Sequence, residues 1–240
     1  MNSRKSQVFF ILSLFFVSLA LFTAFTFNNE QDNTLTEKEK KEGWKLLFDG
    51  QSTNGWKMFK GRESDGWEVV NGELHCKEKA DKRSDIMTAE EFSNFELLID
   101  WKVAKGFNSG IIYRCTEEND ATFESGPEYQ LIDDLTYPSK LNDKQLSGSN
   151  YDMNAPSQKV AKPTGEYNRT RIVVNNAHVE HWLNGVKVVE YEFWSPEWQQ
   201  LKANSKWKDV KPYGMSKKGY IALQDHGGGI WFKNIKIKKL

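Results

Sequence analysis

The chain has 240 residues, 38% hydrophobic and 13% aromatic, which is enough for one sizeable core and too little for two. Lysine plus arginine balances aspartate plus glutamate at 33 each, so no basic field gathers nucleic acid and no acidic field repels it. A nucleic-acid partner is therefore not expected, and a neutral small molecule or glycan fits better.

At the N-terminus, Arg4 and Lys5 precede an apolar run from Val8 to Phe27, followed by the polar stretch NNEQDNTLTEKEKKE. This pattern predicts residues 1–27 as an export signal or a retained membrane anchor, then a polar linker over 28–42, with the domain proper at 43–240. A periplasmic or extracellular location is expected, with membrane contact only through residues 8–27. The two cysteines, Cys76 and Cys115, either pair in an oxidising compartment or are two half-buried thiols.

From Gly43 onward the pattern is that of strands. WEVVNGELHC places Asn71-Gly72 between two alternating runs, and VEHWLNGVKVVEYEF repeats the signal at Asn184-Gly185; both predict two-residue hairpins. A further tight turn is expected at Asn175-Asn176. FELLIDWKVA, SGIIYRCT and EYQLID are short runs, rich in β-branched and aromatic residues and without a helical period. Ser195 as N-cap and Pro196 in the first turn predict one short helix over Glu197 to Ala203, a decoration on a β fold. The expected fold class is all-β, an antiparallel two-sheet jelly-roll sandwich, because two packed sheets hide most of the strand edges.

Residues two apart on a strand share a face. Asn108, Gly110, Ile112 and Arg114 then lie together, as do Glu128 and Gln130, and Gln224 with His226 while Asp225 points away. Amides, a carboxylate, a guanidinium and an imidazole on one face suit a sugar, whose hydroxyls need donors and acceptors. Singly, most of these residues are better explained by turn chemistry or plain solvation: Asn108 suits a turn and Arg114 a strand end. Glu128 stands out because it follows Gly126-Pro127 at the entry of a strand, and His226 because three glycines follow it and allow close backbone approach to a ligand. His178 and His181, three apart on a strand, point to opposite faces and do not form a metal pair. Trp101 and Trp182 sit mid-strand and are expected in the core, whereas Trp194, Trp198 and Trp207 are candidates for a cleft wall.

Taken in order, GWKLLFDGQSTNGW, WEVVNGEL, NSGIIYR, EYQLIDD, PTGEYNRTRIVV, HWLNG and GYIALQDHGGGIWFKNIKIKKL resemble the 3-keto-disaccharide hydrolase domain of exported bacterial proteins, over nearly all of Gly43 to Leu240. The resemblance implies a concanavalin A-like, laminin-G-like sandwich acting on small carbohydrates oxidised at C3. A ketone at C3 acidifies the C2 proton; a base removes it, the enolate expels the C1 substituent, and water adds to the unsaturated sugar. By chemistry and strand face, Glu128 is the candidate base. Arg114 or a divalent cation would stabilise the enolate, and His226 would serve as acid or metal ligand. Asn108, Gln130 and Gln224 would orient hydroxyls, with Trp194 as a stacking wall. No cofactor is assigned beyond that metal option. A retaining glucanase would carry a closely spaced acidic motif of the E-x-D-x-E type, which this chain lacks. A non-catalytic glycan-binding module remains the alternative.

Overall fold

A computed structural model describes residues 31–240 of the chain. The export-signal or anchor expectation falls on residues outside that range. Among the described residues there are thirteen strands: β1 Trp44–Leu46, β2 Trp56–Met58, β3 Trp67–Val70, β4 Glu73–Cys76, β5 Ile86–Thr88, β6 Phe95–Val103, β7 Asn108–Cys115, β8 Glu128–Ile132, β9 Asn168–Asn175, β10 His178–Leu183, β11 Val186–Glu192, β12 Tyr220–Leu223 and β13 Ile230–Lys239. Two helices, α1 Glu37–Lys41 and α2 Pro196–Ala203, accompany them.

All the pairings are antiparallel and form two sheets. The larger has the order β11-β10-β9-β6-β13-β4-β3, with β1 also on β13; the smaller has the order β2-β5-β12-β7-β8. This is the expected two-sheet sandwich. Its core interleaves Leu97, Ile99 and Trp101 of β6, Ile172 and Val174 of β9, and Phe232 of β13 with Ile111 and Tyr113 of β7, Tyr129 and Leu131 of β8, and Ile221 and Leu223 of β12. Alternation along each strand sends these residues inward, and burial of each large side chain contributes about 1.5–3 kcal/mol.

The hairpin signals hold at β3–β4 and β10–β11, where Asn71-Gly72 and Asn184-Gly185 take consecutive positive φ angles. The turn expected at Asn175-Asn176 lies one residue later: Asn175 still pairs with His178, and Asn176 takes the left-handed conformation. Ser195 caps α2 with Pro196 at its first turn, as expected.

Three local readings change. The described part of the supposed linker, residues 31–42, belongs to the compact unit. Asn33 and Asn234 exchange side-chain and backbone hydrogen bonds of 2.7 and 2.8 Å, Lys236 pairs with Glu39, and Thr36 caps α1. Cys76 and Cys115 are free and fully buried, Cys76 between the sheets and Cys115 on the outer face of the smaller sheet, so they do not pair. Trp101 is in the core, bonded to the Thr170 hydroxyl, but Trp182 is not. The inward positions of β10 are Val179, His181 and Leu183, which leaves Trp182 half-buried on the outer face, under Arg171 and donating to Glu180.

Every residue of β7 and β8 is buried. Their inner faces meet the larger sheet, but their outer faces carry Asn108, Glu128 and Gln130, which is chemistry that a dry core does not tolerate without partners. Segments flanking the smaller sheet cover that outer face and leave a cleft.

Candidate active site

The cleft has a volume of ≈ 340 Å³. Asn108, Glu128, Gln130, Gln224 and His226, five of the six site residues expected from strand parity, line it together. Register explains the grouping: Gly110 faces Gln130 across β7–β8, and its carbonyl accepts the Gln224 N–H at 2.9 Å on the other side. Gly110 is thus the floor between the two glutamines.

Glu128 lies across this floor. A Cβ on Gly110 would stand 2.6 Å from Glu128 Oε1 and 2.7 Å from its Cγ, so the absence of a side chain there makes the seat for the carboxylate. Glu128 is 5% exposed, and among the described residues its carboxylate accepts no hydrogen bond and forms no ion pair. Burial pushes its pKa up to about 7; the charge of Lys206 opposes the rise and that of Asp85 adds to it. A carboxyl group so placed is poised to give and take protons near neutrality.

The Gln224–Gly229 segment answers why amide, carboxylate and imidazole precede three glycines. Asp225 turns inward, accepting from Arg83 Nη1 at 2.6 Å, while its own N–H donates to Asp85 Oδ1 at 2.9 Å. Gln224 and His226 therefore face the cleft, as alternation requires. All three glycines have positive φ, and a Cβ on Gly228 would lie 2.1 Å from the Lys77 carbonyl oxygen, so the chain can pass there only as glycine. Gln224 Oε1 is buried and has no partner among the described residues, an acceptor left open at the cleft. His226 is exposed at the rim.

Arg114 and Trp194 do not join this site. Arg114 takes a φ of 53° where β7 slips register against β12, between Tyr220 and Ala222. The bulge adds a residue and reverses its facing. Its buried guanidinium donates to the carbonyls of Ser93 and Asn176 at 2.7–3.0 Å and lies over Phe193. Trp194 borders a separate groove with Trp198, Lys202 and Met215, its indole fixed to the Gly214 carbonyl. Trp198 and Trp207 are almost wholly buried; Trp198 shows an edge to that separate groove, and neither lines the cleft.

Sequence reasoning missed Lys206, Tyr137, Tyr151 and Phe123, which also line the cleft. Lys206 follows α2, so the helix read as decoration delivers a site residue. Its ammonium lies 4.0 Å from the Tyr151 ring and 4.2 Å from the Trp207 ring, and Trp207 Nε1 fastens that ring to the Tyr151 carbonyl. Although the residue as a whole is exposed, this placement of its ammonium lowers its pKa by desolvation, against the pull of Glu128 and Asp152. Tyr137 donates to Asn108 Oδ1 at 3.2 Å. None of these four carries a motif signal.

For a metal, the cleft offers Glu128, Gln224 Oε1 and His226 as donors. Another His/Glu grouping, His178, Glu180 and Glu190, has its ligand atoms within 4.8 Å of one another on the outer face of the larger sheet, where Lys187 already pairs with both carboxylates. His181 points the opposite way into the core, as expected, accepting from or donating to Tyr113 at 2.8 Å.

A chain from Bacteroides thetaiotaomicron named 3-keto-disaccharide hydrolase is 35% identical over 230 residues, covering 83% of this chain and 79% of that one. A crystal structure from Parabacteroides distasonis, provisionally described as a glycosyl hydrolase, superposes with a TM-score of 0.83 at 41% identity, covering 88% of this chain and all of the other. A second structure from that organism, described in the same way, gives 0.65 at 30% identity, over 82% of this chain and 99% of its own. Residues 43–238 match the model of one family, and the chain belongs to it: the 3-keto-alpha-glucoside-1,2-lyase-like domain family.

Proposed function

We propose that this protein cleaves 3-keto-glycosides by removing the C2 proton, eliminating the C1 substituent and hydrating the product. The observation that carries this reading is Glu128, the one carboxylate among the cleft-lining residues, held without hydrogen bonds and with its pKa pushed up to about 7. A retaining or inverting glycosidase of the usual kind needs two carboxyl groups flanking the bond, whereas proton abstraction beside a ketone needs one base. The named relative supports glycoside-type hydrolysis, and the fold and family agree with it.

In this mechanism Glu128 takes the C2 proton, and the C–H electron pair forms the C2=C3 enolate. Its collapse breaks the C1–O bond, and the departing oxygen receives a proton from His226 at the rim. Water then adds across C1=C2, giving a free 3-keto sugar and the released alcohol. Gln224 Oε1, left without a donor, accepts from a sugar hydroxyl, and Asn108 and Gln130 complete the polar floor. With residues 1–27 as an export signal or anchor, the reaction belongs outside the cytoplasm.

Incubating the purified protein with a 3-keto-glucoside and with the parent glucoside, each with and without chelator, tests the reading. Release of aglycone from the keto substrate alone is expected. Binding of the keto-glucoside without turnover would show a glycan-binding module instead.

A further inference from the structure

The reaction above moves charge from C2 onto the C3 oxygen, and the cation first expected there, Arg114, is buried on the other side of the sheet. We propose that Lys206 is the catalytic cation that receives the C3 oxygen as the enolate forms. The proposal rests on the 3-keto-glycoside reading and adds a residue to it.

Three observations carry it. First, Lys206 lines the same cleft as Glu128, and the two charges act on each other without closing into an ion pair among the described residues. Second, two aromatic faces hold the ammonium, at 4.0 and 4.2 Å, and among the described residues no carboxylate or carbonyl accepts from it. Ring faces attract a cation without consuming its N–H groups, so its three donors stay available to a ligand. Third, the cage is itself anchored: Trp207 N–H donates to Ser205 Oγ at 3.0 Å, Trp207 Nε1 to the Tyr151 carbonyl, and the Lys206 backbone N–H to Asp152 Oδ2 at 2.6 Å. A cation fixed before the charge develops stabilises it without reorganisation. Lys140, the other lysine of the cleft, sits on an exposed loop with no such cage.

The charged and titratable groups facing this pair are Asp152 beside Lys206, Asp85 beside Glu128, Lys140 and Tyr137 on the covering loop, Tyr151 under the ammonium and His226 at the rim. Of these, Lys206 is the one whose positive charge bears on the Glu128 carboxylate to lower its pKa. Removing it should move the acidic limb of activity to higher pH, because the Glu128 carboxylate loses that charge; the slowing of C2 exchange with binding kept is what a purely structural lysine would not produce.

The test uses Lys206→Met and Lys206→Arg with a 3-keto-glucoside, reading kcat/KM across pH, exchange of the C2 proton with solvent, and competitive inhibition by the unoxidised glucoside. Loss of a preorganised charge stabiliser costs about 10²- to 10³-fold. For Lys206→Met we expect a loss of that size in both kcat/KM and C2 exchange, an inhibition constant within about threefold of the parent, an acidic limb moved to higher pH, and unchanged thermal unfolding. Lys206→Arg should recover part of the rate. An active parent whose Lys206→Met variant keeps its rate, or loses rate with C2 exchange unslowed, overturns the role of Lys206 alone. A parent inactive on 3-keto-glucosides overturns the underlying reading as well.

Discussion

Gly110→Ala makes a demanding test because the substitution is small and its consequence is specific. The backbone there does not have positive φ, so alanine is conformationally allowed, and what changes is the space that Glu128 occupies. The new Cβ would meet Glu128 Cγ at 2.7 Å where ordinary contact starts at 3.4 Å, so the carboxylate stem must withdraw by about 0.7 Å. Misplacing a reacting group by about 1 Å costs on the order of 10²-fold in rate, and overpacking costs about 1–3 kcal/mol of stability. We therefore expect kcat/KM on a 3-keto-glucoside to fall by roughly 10²-fold. The acidic limb should move to lower pH as the displaced carboxylate regains solvent, and the protein should still fold. Rate–pH profiles and thermal unfolding of parent and variant provide the readout. A rate within threefold of the parent, with the acidic limb unmoved, would refute the claim that the bare Gly110 floor sets the position of the base.

Two further predictions separate structure from chemistry. Replacing the buried guanidinium in Arg114→Met leaves the Ser93 and Asn176 carbonyls without their donor and should destabilise by about 1–3 kcal/mol, with kcat/KM unchanged; denaturant melts and kinetics together check this. Because the folded pKa of Glu128 is raised from 4.5 to about 7, the native state keeps a proton that the unfolded chain loses, and this contribution to stability is lost as pH rises from 4.5 through 7. Glu128→Gln abolishes that loss, so relative to the parent it should gain about 3 kcal/mol in stability between pH 4 and pH 8, measured by denaturant unfolding at each pH.

Much of the site was legible because alternation on β7 and β8, carried on through Gln224 and His226, is a local property. Where the strands run regularly, residue parity alone assembles Asn108, Glu128, Gln130, Gln224 and His226. It failed at Arg114 because one left-handed residue at a bulge reverses the facing, and nothing in NSGIIYR marks that position. Trp182 was misassigned because alternation fixes which residues share a face but not which face is inward. Lys206 was invisible for another reason: its cage comes from Tyr151 and Trp207, far apart in sequence and brought together by tertiary packing. The three glycines were read as allowing close approach to a ligand. Gly228 and Gly229 in fact press against Lys77 and Phe107, so their freedom serves the path of the chain, and His226 benefits from it indirectly.

The central claim is that Glu128 removes the C2 proton, and solvent deuterium exchange at C2 of a 3-keto-glycoside with a poor leaving group measures that step apart from cleavage. The side chain in Glu128→Gln keeps its shape and can still hydrogen-bond but is no longer a base, and loss of general-base assistance typically slows a reaction about 10²- to 10⁴-fold. The account predicts exchange slowed to that extent with substrate affinity little changed. Exchange in Glu128→Gln as fast as in the parent protein would contradict it, and Glu128 would then be a sugar-recognition residue.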